Sequence, residues 1–269
     1  MPRALNSFDQ RLMEKTDNYS SLTSAQFAPN LAMNGFIASG EVITTQPSDI
    51  VSNGLQLYFD AAIGNSYPQA GNKANSIGLV ASQSTFTNAN YSTIDRGAFV
   101  FPNSAADIQG NSTALNFAGG GFTQEVWVKH TGVVSIARTQ RYITFSSNVD
   151  GPTVRHGITT SAELHCYWFV PAGTIRQISI PNMVFTNTLY QFVFLYDGTT
   201  ARVYRNAVEV GNLSVPGNLF PILTGTYYLG ANFAEWFEGN IYLFRYYNRA
   251  LSAAEVLQNF NATRTRFGI

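Results

Sequence analysis

The sequence predicts an all-β sandwich with one short C-terminal helix, preceded by an extended N-terminal arm. Three observations predict it. Aromatic residues make up 14% of the chain, including 20 Phe and 14 Tyr, and such residues favour strands. From Leu79 onward, short apolar runs recur between Gly, Asn and Asp turn signals, the rhythm of packed antiparallel strands. Residues 191–214 alternate apolar with polar, turn at Asp197-Gly198 and alternate again, which is a hairpin pattern.

Composition sets limits on partners and compartment. A chain of 269 residues suits one large domain plus an extension. It can bury roughly 70–75% of its unfolded surface, so it needs neither disulfide nor metal to fold. Lys+Arg and Asp+Glu balance at 16 each, which argues against nucleic acid or an anionic membrane as the main partner. The single cysteine, Cys166, excludes an internal disulfide framework. The opening MPRALNSFDQRLMEKTDNYSS lacks the apolar core of a signal peptide. No apolar run approaches the ~20 residues of a membrane span. The expectation is synthesis and folding in a cytoplasm, without membrane insertion.

Residues 1–50 read as an arm. Ser7-Phe8-Asp9-Gln10 has capping-box spacing, and Phe8 and Leu12 are four apart, which predicts a short helix near 8–16. Between Asp17 and Glu41 the chain carries no charge, yet Phe27, Leu31 and Phe36 are scattered through it. A disordered leader usually lacks such residues, so the arm is expected to pack on its own domain or on a neighbouring subunit.

Pro47-Ser48-Asp49 marks the boundary of a domain over 51–269. Residues 49–62 are expected to form its first strand, and the Gly- and Asn-rich stretch 63–78 reads as a loop. Further strands are predicted at 97–101, 122–130, 141–146, 165–170, 175–180, 190–196, 201–206, 227–229 and 241–248. Ser252-Ala253-Ala254-Glu255 is a capping box before Val256, Leu257 and Phe260, giving a helix over about 252–260. The tail ends on Phe267 and Ile269, which are expected to dock into a groove.

Four segments then carry a family likeness: NGLQLYFDA (53–61), GFTQEVWVKH (121–130) with Phe122, Thr123 and Trp127, QFVFLYDGTTARVYRNAVEVG (191–211), and WFEGNIYLFRYYNRALSAAEV (236–256). In this order they resemble the laminin-G-like branch of the concanavalin A-like lectins. The resemblance implies a two-sheet jelly roll that binds surfaces or sugars, with calcium on the rim in many relatives. The chain departs from the pattern at Arg205-Asn206-Ala207, where the family often has Asn-Gly. A type I′ turn needs positive φ, which Ala tolerates poorly, so a longer or different turn is expected. The opening PSDIVSNGLQLYFDA and the ending RALSAAEVLQNFNATRTRFGI also resemble tailed-bacteriophage structural proteins. That resemblance implies a virion location, other virion proteins as partners, a homo-oligomer, and a host-surface polysaccharide as an outward target.

Candidate chemistry is sparse. Glycosidase carboxylates stand roughly 5–9.5 Å apart. Glu235 and Glu238, three apart on a strand, would point to opposite faces. None of His130, His156 and His165 adjoins a nucleophile elbow. His165 and Cys166 should diverge on a strand, and His130 at a strand end reads as a surface residue. No catalytic residue and no cofactor is assigned. Asp60, Asp107 and Asp150 could offer oxygen ligands to calcium, but nothing in the sequence brings any two together. Sugar binding needs an aromatic face beside amides or acids. Asn232, Glu235 and Trp236 on one loop provide those groups, with a core or interface role for Trp236 as the competing reading. Trp127 and Trp168 sit inside strand patterns and read as packing residues. The expectation is a non-enzymatic virion protein (capsid decoration, fibre or tail adhesion subunit), with a free lectin as the alternative and a polysaccharide-degrading glycosidase as the third reading.

Overall fold

The computed structural model describes residues 49–269, apart from residues 69, 103, 113–114, 116–120, 133–138, 148–150, 160–161, 171–173, 217–218, 220–224 and 232–234. The expected arm helix and Phe8, Leu12, Phe27, Leu31 and Phe36 lie outside the described residues.

Two antiparallel sheets face each other. The first is built from β1 (Leu55–Asp60), β4 (Asn90–Ser92), β5 (Ala98–Pro102), β7 (Phe122–His130), β12 (Leu189–Tyr196), β13 (Thr200–Arg205), β14 (Val208–Ser214) and β16 (Glu238–Tyr247). Its order is β14-β13-β12-β7-β16-β5-β4, and β1 also pairs with β16. Strand β16 is long enough for β5 to take its first half (Ile241↔Phe99) and β1 its second (Phe59↔Phe244), while β7 runs along its other edge. The second sheet holds β2 (Lys73–Asn75), β3 (Gln83–Thr87), β6 (Asp107–Asn111), β8 (Gln140–Ser147), β9 (Gly151–Ile158), β10 (Leu164–Val170), β11 (Thr174–Ile180) and β15 (Gly225–Leu229). Its order is β11-β10-β9-β8-β15-β6-β3-β2.

Alternation explains which face each strand buries. In β10 the burial pattern is strict, with Leu164, Cys166, Trp168 and Val170 inward and His165, Tyr167 and Phe169 outward. The inter-sheet core takes the inward set together with Phe145, Val154, Phe192, Phe194, Tyr227 and Phe244. Its aromatic rings meet edge-on or offset, as in Tyr67 against Phe99 at 5.7 Å and Tyr142 against Phe192 at 5.7 Å.

A second apolar cluster lies on the outer face of the first sheet, under helix α1 (Ala253–Arg264). The Ser252–Glu255 capping box starts this helix as expected. The helix runs four residues past the predicted end. Past Phe260 only Ala262 adds to the apolar cluster and the last turn is held mainly by polar contacts, so hydrophobic spacing did not reveal it. Asn259 donates to Glu125 Oε2 (2.9 Å) and to the Tyr247 hydroxyl (2.9 Å), and Thr263 Oγ1 accepts from Arg245 (3.1 Å). Beneath them Arg245 donates to Glu125 Oε1 (2.9 Å), both side chains fully buried. Trp127 and Gln191 donate to the same oxygen, each at 3.0 Å.

Several local expectations change. The first strand begins only at Leu55, because Ser52–Leu55 forms a turn closed by Leu55 N–H to Ser52 O at 3.1 Å. Within the expected loop 63–78, β2 forms an edge strand. The turn after β13 is the two-residue turn that Ala207 argued against, with Asn206 at φ 51° and Ala207 at φ 63°. Gln191 holds it: Asn206 N–H donates to Gln191 O (2.9 Å) and Ala207 N–H to Gln191 Oε1 (3.2 Å). At the tail, Phe267 stacks on Trp127 (5.1 Å) as expected, whereas Ile269 remains exposed. His130 is not a surface residue. It is buried 2.7 Å from the Tyr142 hydroxyl and edge-on to Phe237, because the loop before β16 closes over that strand end.

Candidate functional site

The outward face of the second sheet carries one concentrated cluster of aromatic and charged side chains. Strand pairing builds it. Arg155 is the Cα partner of Thr144 on β8 and of Tyr167 on β10, and Tyr167 is paired in turn with Gln177 on β11. Gly157 pairs with both Arg141 and His165, which places those side chains one step along the same face. Because β10 alternates, His165, Tyr167 and Phe169 form a half-buried aromatic row. The His165 and Tyr167 rings are 4.3 Å apart, and Tyr167 and Phe169 are 6.2 Å apart.

Two guanidinium groups lie across this row. Arg155 sits over Phe169 at 5.0 Å and over Tyr167 at 5.5 Å, and Arg141 over Tyr167 at 5.1 Å. Such stacking orients an arginine while leaving its edge free to donate. Glu235, from the loop before β16, accepts a forked pair from Arg141: Nε at 2.7 Å and Nη2 at 3.2 Å. Arg155 Nη1 stands 3.6 Å from the same carboxylate. Arg141 is only 2% exposed, yet its Nη1 has no hydrogen-bond partner among the described residues. The same holds for Arg155 Nε, His165 Nε2 and Thr144 Oγ1. Partial burial and the Arg141 charge hold the His165 imidazole below its ordinary range, so it is neutral at pH 7.

Of the residues predicted from sequence, Glu235 is in this cluster, and Trp236 follows it half-buried. Asn232 lies outside the described residues. Reasoning from sequence missed Arg141, Arg155, Tyr167 and Phe169. The outward phase of β10 was the one available signal, since the arginines join it only through pairing across strands. Glu235 and Glu238 form no acid pair: Glu235 holds Arg141, while Glu238 opens β16 with its carboxyl beside Gly132. The three histidines are separate. His156 is inward, stacked on Phe194 at 4.2 Å, and its neighbours on the sheet include the buried Cys166, whose thiol burial pushes well up.

Of the candidate calcium acids, Asp60 and Asp107 lie on different sheets. Asp60 is buried and accepts from Arg266 (2.6 Å), the Tyr58 hydroxyl (3.0 Å) and Ala62 N–H (2.9 Å). Asp107 lies on β6, and Asp150 is outside the described residues. Among the described residues no three His, Cys, Asp or Glu side chains gather to hold a metal ion. No helix is long and apolar enough to cross a membrane among those residues.

A separate cleft of about 380 Å³ opens on the first sheet beside the C-terminal turn, lined by Asp95, Lys129, Tyr242, Arg266 and Phe267 among others. Its groups are largely engaged with one another. Asp95 pairs with Lys129 and accepts from Tyr242 at 2.7 Å, and Arg266 is tied to Asp60 and to the carbonyls of Arg96 and Gly97.

The fold agrees with comparison to known proteins. A family model described as the concanavalin A-like lectin/glucanases superfamily matches residues 103–257. The chain belongs to that superfamily. No curated protein sequence matches it. Among solved structures, the binding domain of Paraclostridial Mosquitocidal Protein 1 is similar, with TM-score 0.63 and 13% identity over 78% of this chain and 52% of that one. The receptor binding domain of botulinum neurotoxin C/D mosaic serotype matches with TM-score 0.63 and 10% identity, over 79% and 52%. The ligand binding domain of botulinum neurotoxin serotype D, solved in complex with N-acetylneuraminic acid, matches with TM-score 0.63 and 11% identity, over 79% and 52%. The chain therefore spans about half the length of these structures, and at such identity the likeness is one of fold.

Proposed function

We propose that this domain is a non-enzymatic glycan-binding jelly roll, and that its binding surface is the outward face of the second sheet around Tyr167. The observation that carries this reading is the His165–Tyr167–Phe169 row, half-buried beside Arg155 and Glu235. Sugar rings present C–H faces that stack on aromatic rings, and hydroxyls that pair with planar charged groups. A binding role fits better than hydrolysis, because both Glu235 oxygens are engaged by Arg141 and glycosidase chemistry needs paired carboxylates. Solved binding domains that share this fold support the same direction.

The finer placement is a bacteriophage virion. There residues 1–50 would dock the subunit to the particle or exchange between copies, and the sandwich would face a host-surface polysaccharide. This placement rests on the resemblance of the domain's opening and ending to phage structural proteins.

Screening the purified protein on a glycan array tests the binding function. Tyr167→Ala should lower affinity at least tenfold while leaving the thermal midpoint within a few degrees. Trp236→Ala should also weaken binding if that ring borders the sugar. No glycan bound, or unchanged binding by Tyr167→Ala, rejects the surface. For the arm, deletion of residues 1–45 should abolish incorporation into particles, and normal incorporation rejects that role.

A further inference from the structure

We infer that the saccharide taken at this surface is acidic, bearing a carboxylate or sulfate group that is met by Arg155. The inference rests on the glycan-binding reading and adds the ligand's charge. Among the described residues, two guanidinium groups share one carboxylate. Arg141 takes the Glu235 carboxylate as a fork at 2.7 and 3.2 Å. Arg155 stands 3.6 Å from it, beyond hydrogen-bonding distance. Glu163 adds a second acid at the His165 end of the row, so the positive charge in excess sits at the Arg155 end. Among the described residues the charged groups that act on Arg155 are Arg141 and Glu235, with Tyr167 beside them. His165 is neutral at pH 7 and offers a hydrogen bond but no charge.

The environment of Arg155 strengthens the case. Its side chain is 22% exposed, with the guanidinium between the Tyr167 and Phe169 rings. A partly dehydrated cation that only shares a carboxylate with another arginine gains more from an incoming anion than a fully solvated one does. Its planar fork matches a carboxylate or sulfate. The unpartnered atoms gather here too: Arg141 Nη1, on a side chain that is 3% exposed, with Arg155 Nε, His165 Nε2 and Thr144 Oγ1. A ring stacked on Tyr167 would set its acidic substituent beside Arg155. Glu235 then acts as a positioning residue. It holds Arg141 in the sheet face and would repel an acid bound on its own side, which directs the anion to the Arg155 side.

The test is an array of matched pairs: uronate oligomers with their methyl esters, sialylated glycans with their desialylated forms, and sulfated glycans with unsulfated ones. The full-length protein is measured at 50 and 300 mM sodium chloride. The acidic member of at least one class should bind at least tenfold tighter than its neutral partner, with the preference shrinking at high salt. Arg155→Gln should remove the preference while weak binding to the neutral member persists, and Arg155→Lys should restore part of it. Equal binding of acidic and neutral members overturns the charge inference and leaves the glycan-binding reading standing. An Arg155→Gln variant that folds and keeps the preference overturns the assignment to Arg155. No binding to any member overturns both readings.

Discussion

Ala207 shows how a single residue can stand against its own preference. An L residue at φ 63° costs about 1–2 kcal/mol, and the Gln191 clamp described above holds the turn regardless. Ala207→Gly should therefore stabilise the domain by about 0.5–1 kcal/mol, after allowance for the greater freedom of Gly in the unfolded chain. A urea midpoint that falls instead would mean the turn relaxes in solution. The buried histidines give a second prediction at this scale. Burial holds His130 down at about 3 and His156 well below its ordinary value. As pH falls through about 6.5 the unfolded chain takes up protons that the folded chain refuses. Stability present above that pH is thus lost toward pH 3, at about 1.4 kcal/mol per unit for each imidazole. Half-exposed His165 adds less. Urea titrations at pH 7 and 5 should show the loss, and His156→Leu should roughly halve its slope.

At the scale of elements, helix α1 is fastened to the first sheet by ring stacking and by hydrogen bonds from Asn259 and Thr263 to the buried Glu125–Arg245 pair. Trp127 on strand β7 stacks against the rings of Phe260 (5.7 Å) in the helix and Phe267 (5.1 Å) in the turn after it. Trp127→Ala should cost about 3–5 kcal/mol, read as a drop in the urea midpoint, and near-neutral stability would refute the packing. Arg245→Met leaves Glu125 buried without its cation and should cost a similar ~3–5 kcal/mol. Replacing both residues with apolar ones should recover most of that loss, because an intact buried pair adds little over good packing. The elements legible in the sequence were those with clean periodicity. Strand β7 appears with its predicted bounds, and β10, β12 and β16 within a few residues of theirs. Strands β2, β4 and β6 escaped because they are three to five residues long and mostly polar. Strand β9 escaped because Pro152 and Gly157 interrupt its alternation. The site was hidden for a related reason. Glu235 could be singled out as a loop acid, but its partner Arg141 is 94 residues away in the chain, and only the strand order brings them together.

At the scale of the whole molecule, the two sheets divide the work. The outer face of the first is covered by α1 and the C-terminal turn, and the outer face of the second carries the charged aromatic row. The chain enters the domain beneath that helix: Gln258 donates to Asp49 O at 2.8 Å, and Val51 N–H donates to Asn259 Oδ1 at 2.9 Å. The segment that enters the domain ahead of β1 and the helix that closes it are thereby tied together on the side away from Tyr167. The consequence is a directional tether. A support that grips the protein at residue 49 or through α1 turns Tyr167 and Arg155 toward the opposite side, with no hinge or reorientation required. Spacing between neighbouring copies on such a support would then set the valency with which they meet a repeating polymer, so a weak individual contact could hold a long chain firmly.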